Sequence, residues 1–78
     1  VARDGVTLNT VRPGRIDTAR LHELMGSAEA AREHAEEWVP AGRLGTVEDI
    51  TGILVFLASD ESLFATGNMY SIDGGMTI

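Results

Sequence analysis

The residues best suited to chemistry in this sequence follow a short β-branched run and a Pro-Gly turn. Run 6–11 leads into Pro13-Gly14, and Thr18 comes four residues after that glycine. Proline cannot donate to a sheet ladder and glycine accepts a positive φ, so the strand has to stop and turn here. The turn leaves residues 15–18 at the carboxyl end of a strand, which is where open α/β sheets bind ligands. The pattern therefore predicts one wall of a small-molecule site.

Arg15 is a second candidate for contact with a ligand, because it directly follows the Pro-Gly turn. Its guanidinium either faces a phosphate or carboxylate of a substrate, or pairs with Asp17 or Glu23 on the protein surface. The sequence leaves both alternatives open.

Other titratable side chains give no recognisable catalytic or metal spacing. His22 and His34 are twelve residues apart on different predicted helices, and a metal site needs three or four converging ligands. We therefore expect two solvated histidines and no metal. Glu36 and Glu37 are neighbours on a helix, where adjacent side chains point apart, which argues against a pair of catalytic carboxylates.

Composition restricts the class of protein. The 78 residues are 44% hydrophobic and carry a net charge of −6, with no cysteine and no lysine. This length allows one small domain with a thin core and no disulfides. The acidic balance disfavours nucleic acid as a partner, and the longest apolar run, 53–58, is too short for a membrane span. The absence of cysteine fits a reducing compartment, so we expect a cytoplasmic protein.

The order of predicted elements is that of a βαβ crossover with parallel strands. Thr18 and Ser27 are expected to cap the short helices, and Thr46, with Asp49 three residues later, the long one. The expected elements are a strand at about 6–12, short helices at about 19–37, a helix at about 46–58 and a strand at about 68–72. The long helix is apolar on nearly all sides, so we expect other structure to cover it.

Four segments, taken in order, resemble a known family. They are the strand and Pro-Gly turn of 9–18, the Pro-x-Gly-Arg-x-Gly pattern of 40–45, the helix and turn of 48–60, and the Thr-Gly-Asn and Asp-Gly-Gly patterns at 66–68 and 72–75. Together they resemble the C-terminal third of the short-chain dehydrogenases/reductases, the 3-oxoacyl reductases in particular. The resemblance covers essentially the whole chain.

The resemblance implies an α/β fold, with residues 1–78 forming the C-terminal part of one Rossmann-type, doubly wound parallel sheet. It also implies NAD or NADP as cofactor. Pro13 and Gly14 would lie beside the nicotinamide, and Ile16 would offer backbone groups to its carboxamide. The hydroxyl of Thr18 would lie near the carboxamide and the pyrophosphate.

Two features of the family are absent from this sequence. There is no Gly-rich pyrophosphate turn and no Tyr-x-x-x-Lys, since the only tyrosine is Tyr70 and lysine does not occur. The resemblance therefore implies hydride transfer between nicotinamide and a carbonyl or alcohol substrate, with the catalytic Tyr and Lys upstream of Val1. We assign no catalytic residue here and expect the 78 residues alone to be inactive. The alternative is a non-catalytic remnant or oligomerisation module that keeps only the cofactor-side loop.

The resemblance also implies assembly. Helix 46–58 is apolar on both sides, and strand 68–72 would be the edge of the sheet. An exposed edge strand beside an apolar helix face favours pairing with another copy. We expect a homotetramer in which this helix and strand are buried against their symmetry mates.

Overall fold

Two short parallel strands, three α-helices and two 3-10 turns make up the described part of the chain. The computed structural model describes residues 2–77, so the predicted domain 1–78 extends beyond it at Val1 and Ile78. The elements are β1 (Thr10–Pro13), α1 (Ala19–Met25), α2 (Ala28–Trp38), α3 (Val47–Ala58) and β2 (Met69–Ile72), with 3-10 turns at Ala2–Asp4 and Asp60–Ser62. β1 and β2 pair in parallel, from Thr10 opposite Met69 to Pro13 opposite Ile72. The predicted α/β arrangement with parallel strands is confirmed.

Strand β1 spans Thr10–Pro13, whereas the sequence predicted a strand at about 6–12. It therefore begins four residues later and ends one residue later than predicted. Residues 6–9 have no ladder partner because the chain opposite them turns at Gly67, whose φ is +74°. Side chains replace the ladder: Leu8 N donates to Thr66 Oγ1, and the Asn9 amide bonds Ala65 O and Asn68 N. The ladder therefore starts at Thr10, later than the β-branched pattern predicts, and Gly67 N donates to Leu8 O just before it.

The helices begin where the capping residues placed them. Thr18 Oγ1 accepts from Leu21 N, and Ser27 Oγ accepts from Ala30 N. At α3 the cap is reciprocal: Thr46 Oγ1 accepts from Asp49 N, while the Asp49 carboxylate accepts from Thr46 N at 2.7 Å. Each bond satisfies a backbone N–H that has no partner within its helix.

The buried interior of the described residues is small. Its apolar members are Ala31, Ala35 and Val39, and α1 packs on α2 while α3 packs chiefly on the 3-10 turn that follows it. The radius of gyration is 15.2 Å, whereas a compact domain of this length has about 12 Å. None of the described residues of α3 is buried. No helix in the described range is both long and apolar enough to cross a membrane.

The backbone of the Pro-Gly turn lies directly against the end of β2. Gly14 N donates to Ile72 O at 2.9 Å, and a Cβ on Gly14 would stand 2.6 Å from Asp73 Cβ and 2.7 Å from Asp73 Cα. Backbone cannot yield as a flexible side chain can, so only glycine fits at this position. The position of the turn is thereby set by β2.

An ion pair fixes the loop between α2 and α3 to the start of α3. Arg43 donates to Asp49 Oδ2 at 2.9 Å and also to Leu44 O. The Arg43 guanidinium and then the Thr46 amide lower the pKa of Asp49 to about 2, and the same pair raises the pKa of Arg43. Both side chains are partly exposed, so salt screens the pair.

We expect the contribution of Asp49 to stability to depend on pH. Its folded pKa lies below the unfolded value, so the contribution is complete above about pH 4 and is lost as pH falls toward 2. Thermal unfolding of the complete protein should show Asp49→Asn less stable than wild type at neutral pH, with the gap closing in that window. Glu33→Gln, at an exposed position on α2, is the control. A gap that stays constant down to pH 2 would contradict the prediction.

The close approach at Gly14 gives a second prediction. Gly14→Ala should lower the free energy of unfolding by about 1 to 3 kcal/mol, because the new methyl group overpacks against the Asp73 backbone. Gly52→Ala is the matched control: its Cβ meets nothing within 4 Å, and alanine favours a helix by about 0.5 to 1 kcal/mol. Urea unfolding of the complete protein measures both. A Gly14→Ala variant as stable as wild type would refute the packing argument.

Candidate functional site

The four predicted cofactor residues line one cleft. Its volume is about 430 Å³, and it lies at the carboxyl end of β1 between the Pro-Gly loop and α1. The lining residues are Pro13, Gly14, Arg15, Ile16, Thr18, Arg20, Leu21, Leu24 and Met76. The volume falls within the range of small-molecule sites, which are typically apolar with a few polar groups. The structure thus brings together the residues that the sequence singled out.

Ile16 presents free backbone groups. A parallel bridge joins Ile16 to Gly45 through its neighbours: Gly45 N donates to Arg15 O at 2.9 Å, and Asp17 N donates to Gly45 O at 2.8 Å. In such a bridge the amide and carbonyl of the central residue point away from the partner. Within residues 2–77 neither group of Ile16 has a hydrogen-bond partner. One donor and one acceptor are therefore available at the cleft.

Thr18 caps α1 and still has a hydrogen bond to give. Its Oγ1 accepts from Leu21 N at 3.2 Å. A hydroxyl carries one donor hydrogen besides its acceptor sites, so capping leaves the hydrogen free. The two roles considered for Thr18, helix cap and ligand contact, are compatible in this geometry.

The histidines depart from the prediction of two solvated side chains. His22 Nε2 lies 2.6 Å from Asp17 Oδ1. His34 lies against Trp38, with ring centroids 6.3 Å apart, and its Nε2 is buried without a partner among the described residues. The contact of His34 with Trp38 comes from α-helical geometry, which puts residues four positions apart beside each other. Asp17 lies just before the N-cap of α1, where its carboxylate reaches His22 in the first turn of the helix. No group of three or more His, Asp or Glu in the described part of the chain is placed to hold a metal ion.

The pairing of His22 with Asp17 decides the surroundings of Arg15. Of the two acids considered as its partners, Asp17 bonds His22 instead, and the Glu23 carboxylate makes no bond with Arg15. The Arg15 guanidinium has no hydrogen-bond or ion-pair partner within residues 2–77, and the same holds for the guanidinium of Arg20 on α1. None of the residues lining the cleft is acidic.

A smaller cavity marks the junction of the motif segments. It holds about 150 Å³ and is bounded by the Pro-Gly loop, the 39–45 loop, the start of α3 and the 72–74 turn. Ala41 N donates to Gly74 O, and a Cβ on Gly74, which has a φ of +66°, would stand 2.7 Å from Val39 Cγ1. Hydrogen bonds from the Thr77 hydroxyl and then the Gly75 amide lower the pKa of Asp73. This cavity lies where these four segments meet, and it shares Arg15 and Ile16 with the cleft.

Several residues of the cleft were not found by sequence reasoning. Arg20, Leu21 and Leu24 follow Thr18 at helical spacing on α1, so the period of the helix was a usable signal for them. Met76 had no such signal, because the double turn at Gly74 and Gly75 brings it to the cleft.

Comparison with known proteins agrees with the fold and motifs. Residues 1–77 match the family model described as Enoyl-(Acyl carrier protein) reductase. The chain is 41% identical, over its whole length, to the 3-oxoacyl-[acyl-carrier-protein] reductase FabG of Thermotoga maritima, of which it covers 30%. It thus spans about a third of the length of the curated relatives that it matches.

Solved structures give the same relationship. YwfH, an NADPH-dependent reductase involved in bacilysin biosynthesis, superposes with a TM-score of 0.86 at 34% identity, over 97% of this chain and 32% of that one. A short-chain dehydrogenase family protein from Francisella tularensis gives 0.83 at 32% identity, over 97% and 35%. The family model, the curated relatives and the solved structures agree with the four motif segments, and this chain belongs to the short-chain dehydrogenase/reductase family.

Proposed function

We propose that the protein is an NAD(P)-dependent oxidoreductase that transfers hydride between nicotinamide and a carbonyl or alcohol carbon. The observation that carries the proposal is the free amide and carbonyl of Ile16 at the cleft. A carboxamide needs one acceptor for its NH₂ group and one donor for its oxygen, and a single residue offers both. Pro13 and Gly14 add only the proline ring to the backbone of this wall, which leaves room for a planar ring to pack against it.

The remaining parts of the cleft fit the same ligand. The free hydroxyl hydrogen of Thr18 lies on the same wall, where it can donate to the carboxamide or to the pyrophosphate. The relative named above as an NADPH-dependent reductase supports a nicotinamide dinucleotide, either NAD or NADP. The cofactor, when bound, supplies the hydride. The residues named here hold and orient its nicotinamide.

Proton transfer is assigned to groups beyond these residues. The chain has no lysine, and its one tyrosine, Tyr70, lies on β2 outside the cleft. A tyrosine whose pKa is lowered by a lysine is the acid that the family resemblance implies. We therefore propose that residues 1–78 alone do not turn over substrate. The rival proposal is a non-catalytic module, and it predicts that the complete protein does not bind NADPH.

We propose further that the protein assembles through α3 and β2, as a homotetramer. Val55 is 69% exposed and Leu54 48%, and Met69 on β2 is 58% exposed. On its other side β2 has no strand partner in the described chain. Apolar surface and an unpaired strand edge are both costly in water, and a second copy would remove both.

The first test of the proposed function is Thr18→Ala in the complete protein. We expect NADPH to bind more weakly by about 1 to 2 kcal/mol, the range for one lost hydrogen bond to a polar partner. Fluorescence titration with NADPH gives the affinity, and unfolding without cofactor gives the stability. Thr18→Ser keeps the hydroxyl and should retain wild-type affinity.

Ser27→Ala is the matched control, since Ser27 caps α2 in the same way but does not line the cleft. It should lower stability by about 1 kcal/mol and leave NADPH affinity unchanged. If Thr18→Ala behaves like this control, Thr18 is only a cap. If the wild-type protein does not bind NADPH or NADH, the oxidoreductase proposal fails.

The assembly proposal is tested by Val55→Glu. A buried charge at a subunit contact is strongly unfavourable, so this variant should dissociate at concentrations at which it remains folded. Light scattering gives the mass and circular dichroism the folded state. Trp38→Glu introduces the same charge at a residue of α2 that is 61% exposed, and it should leave the mass unchanged. A wild-type protein that is monomeric at micromolar concentration would refute the assembly.

A further inference from the structure

The cleft carries two guanidinium groups that the binding of a nicotinamide leaves unexplained. Arg15 stands on the Pro-Gly loop and Arg20 on α1, and both line the cleft. Neither guanidinium has a partner within residues 2–77, and no carboxylate lines the cleft beside them. The charged side chains that line the cleft are thus both cationic, in a chain with a net charge of −6. Such a pair lowers the energy of an anion placed between its members.

The acids close to Arg15 in sequence do not neutralise it. Asp17 is bound by His22 at 2.6 Å, outside the residues that line the cleft. Glu23 is an exposed residue of α1 and also lies outside this lining. An acidic ligand would therefore meet the two arginines without first displacing an ion pair of the protein.

Apolar side chains make up much of the remaining lining. Leu21, Leu24 and Met76 face the same cleft, and Leu24 is 70% exposed in the absence of a ligand. Exposed apolar area of this kind favours a ligand with a hydrocarbon part that covers it. The cleft thus combines apolar walls with two cationic groups that can each bind a carboxylate or phosphate through two hydrogen bonds.

We infer that the substrate is an anionic carbonyl or alcohol compound: an apolar body carrying a carboxylate or a phosphate, which Arg15 and Arg20 bind. This inference rests on the proposed function. If the nicotinamide occupies the loop side at Ile16 and Thr18, the substrate lies on the remaining side, where α1 supplies Arg20, Leu21 and Leu24. The arginines then hold the charged end of the substrate and orient its reacting carbon toward the nicotinamide.

The test measures binding to the complete protein saturated with NADP⁺, by calorimetric titration with three probes of equal chain length. Heptanoate, hexyl phosphate and hexan-1-ol share a hexyl chain and differ in the polar group at its end, which is charged in the first two only. We expect at least one of the two anions to bind roughly 10-fold or more tightly than hexan-1-ol, the effect of one charge-assisted hydrogen bond. The tighter anion identifies the group as carboxylate or phosphate. Higher ionic strength should reduce the preference.

Variants assign the preference to the two arginines. The double variant Arg15→Gln with Arg20→Gln should bind the anions and the alcohol about equally. The single variants are measured as well, and each should lose part of the preference, which keeps the test valid if the double variant does not fold. Arg32→Gln is the matched control, because Arg32 is exposed on α2 and outside the cleft lining, and it should keep the full preference.

Three results would overturn the inference: hexan-1-ol binding as tightly as both anions, no binding of any probe, or an anion preference that survives in the variants. A fourth would reassign the arginines, namely a loss of NADP⁺ affinity in the double variant as large as its loss of anion affinity. Failure of the proposed function is distinguishable. It appears as a wild-type protein that does not bind NADP⁺, and the probes can then be titrated into the protein alone.

Discussion

Direct contact between backbone and backbone holds the candidate site together. The Pro-Gly loop is hydrogen-bonded to the end of β2 through Gly14 N and to the 39–45 loop through the bridge between Ile16 and Gly45. At Gly14 the main chains approach so closely that a Cβ would stand 2.7 Å from Asp73 Cα, so glycine is required by the packing there. At Gly45 a Cβ would meet the flexible end of the Ile16 side chain at 2.8 Å, which can move aside.

The chemistry available at the cleft follows from that contact. Because the Ile16 bridge uses the neighbouring amide and carbonyl, the groups of Ile16 itself remain free. Because a capping bond uses only an acceptor site of Thr18, its hydrogen remains free as well. Structural hydrogen bonds thus hold the Ile16 backbone and the Thr18 side chain in place, while their own donor and acceptor groups remain available to a ligand. Such preorganisation is what a site for a rigid planar ligand requires.

Helix α3 is held by polar contacts at its first turn but buries little apolar surface within the described chain. α3 is capped at its first turn by Thr46 and Asp49 and tied to the preceding loop by Arg43, so its position is well defined. Yet four of its apolar side chains remain exposed, those of Val47, Leu54, Val55 and Phe56, and the buried apolar residues of the described chain are Ala31, Ala35 and Val39. Local hydrogen bonds and one ion pair fix the geometry here, while apolar burial contributes little within the described residues. The proposed assembly through α3 and β2 would supply that burial.

What the sequence determined by itself is the part governed by local physics. Pro13 is the last residue of its strand because it has no backbone N–H for the ladder, and Thr18, Ser27 and Thr46 cap helices because their side chains reach backbone amides only a few residues away. Gly14 does not take a positive φ, and glycine is required there by the contact with Asp73 instead. The motif spacing was enough to predict the family, and the four residues that it singled out all line one cleft.

Tertiary structure decided everything that depends on distant partners. β1 starts at Thr10 rather than near Val6 because the chain opposite turns at Gly67, almost sixty residues away. Met76 lines the cleft because two glycines of positive φ redirect the chain after β2. Tertiary structure also decided a local alternative: Asp17 was one of two acids considered as partners of Arg15, and it bonds His22 instead. Which of two nearby groups bonds a shared partner depends on small differences in atomic distance, and the residue types alone do not determine these differences.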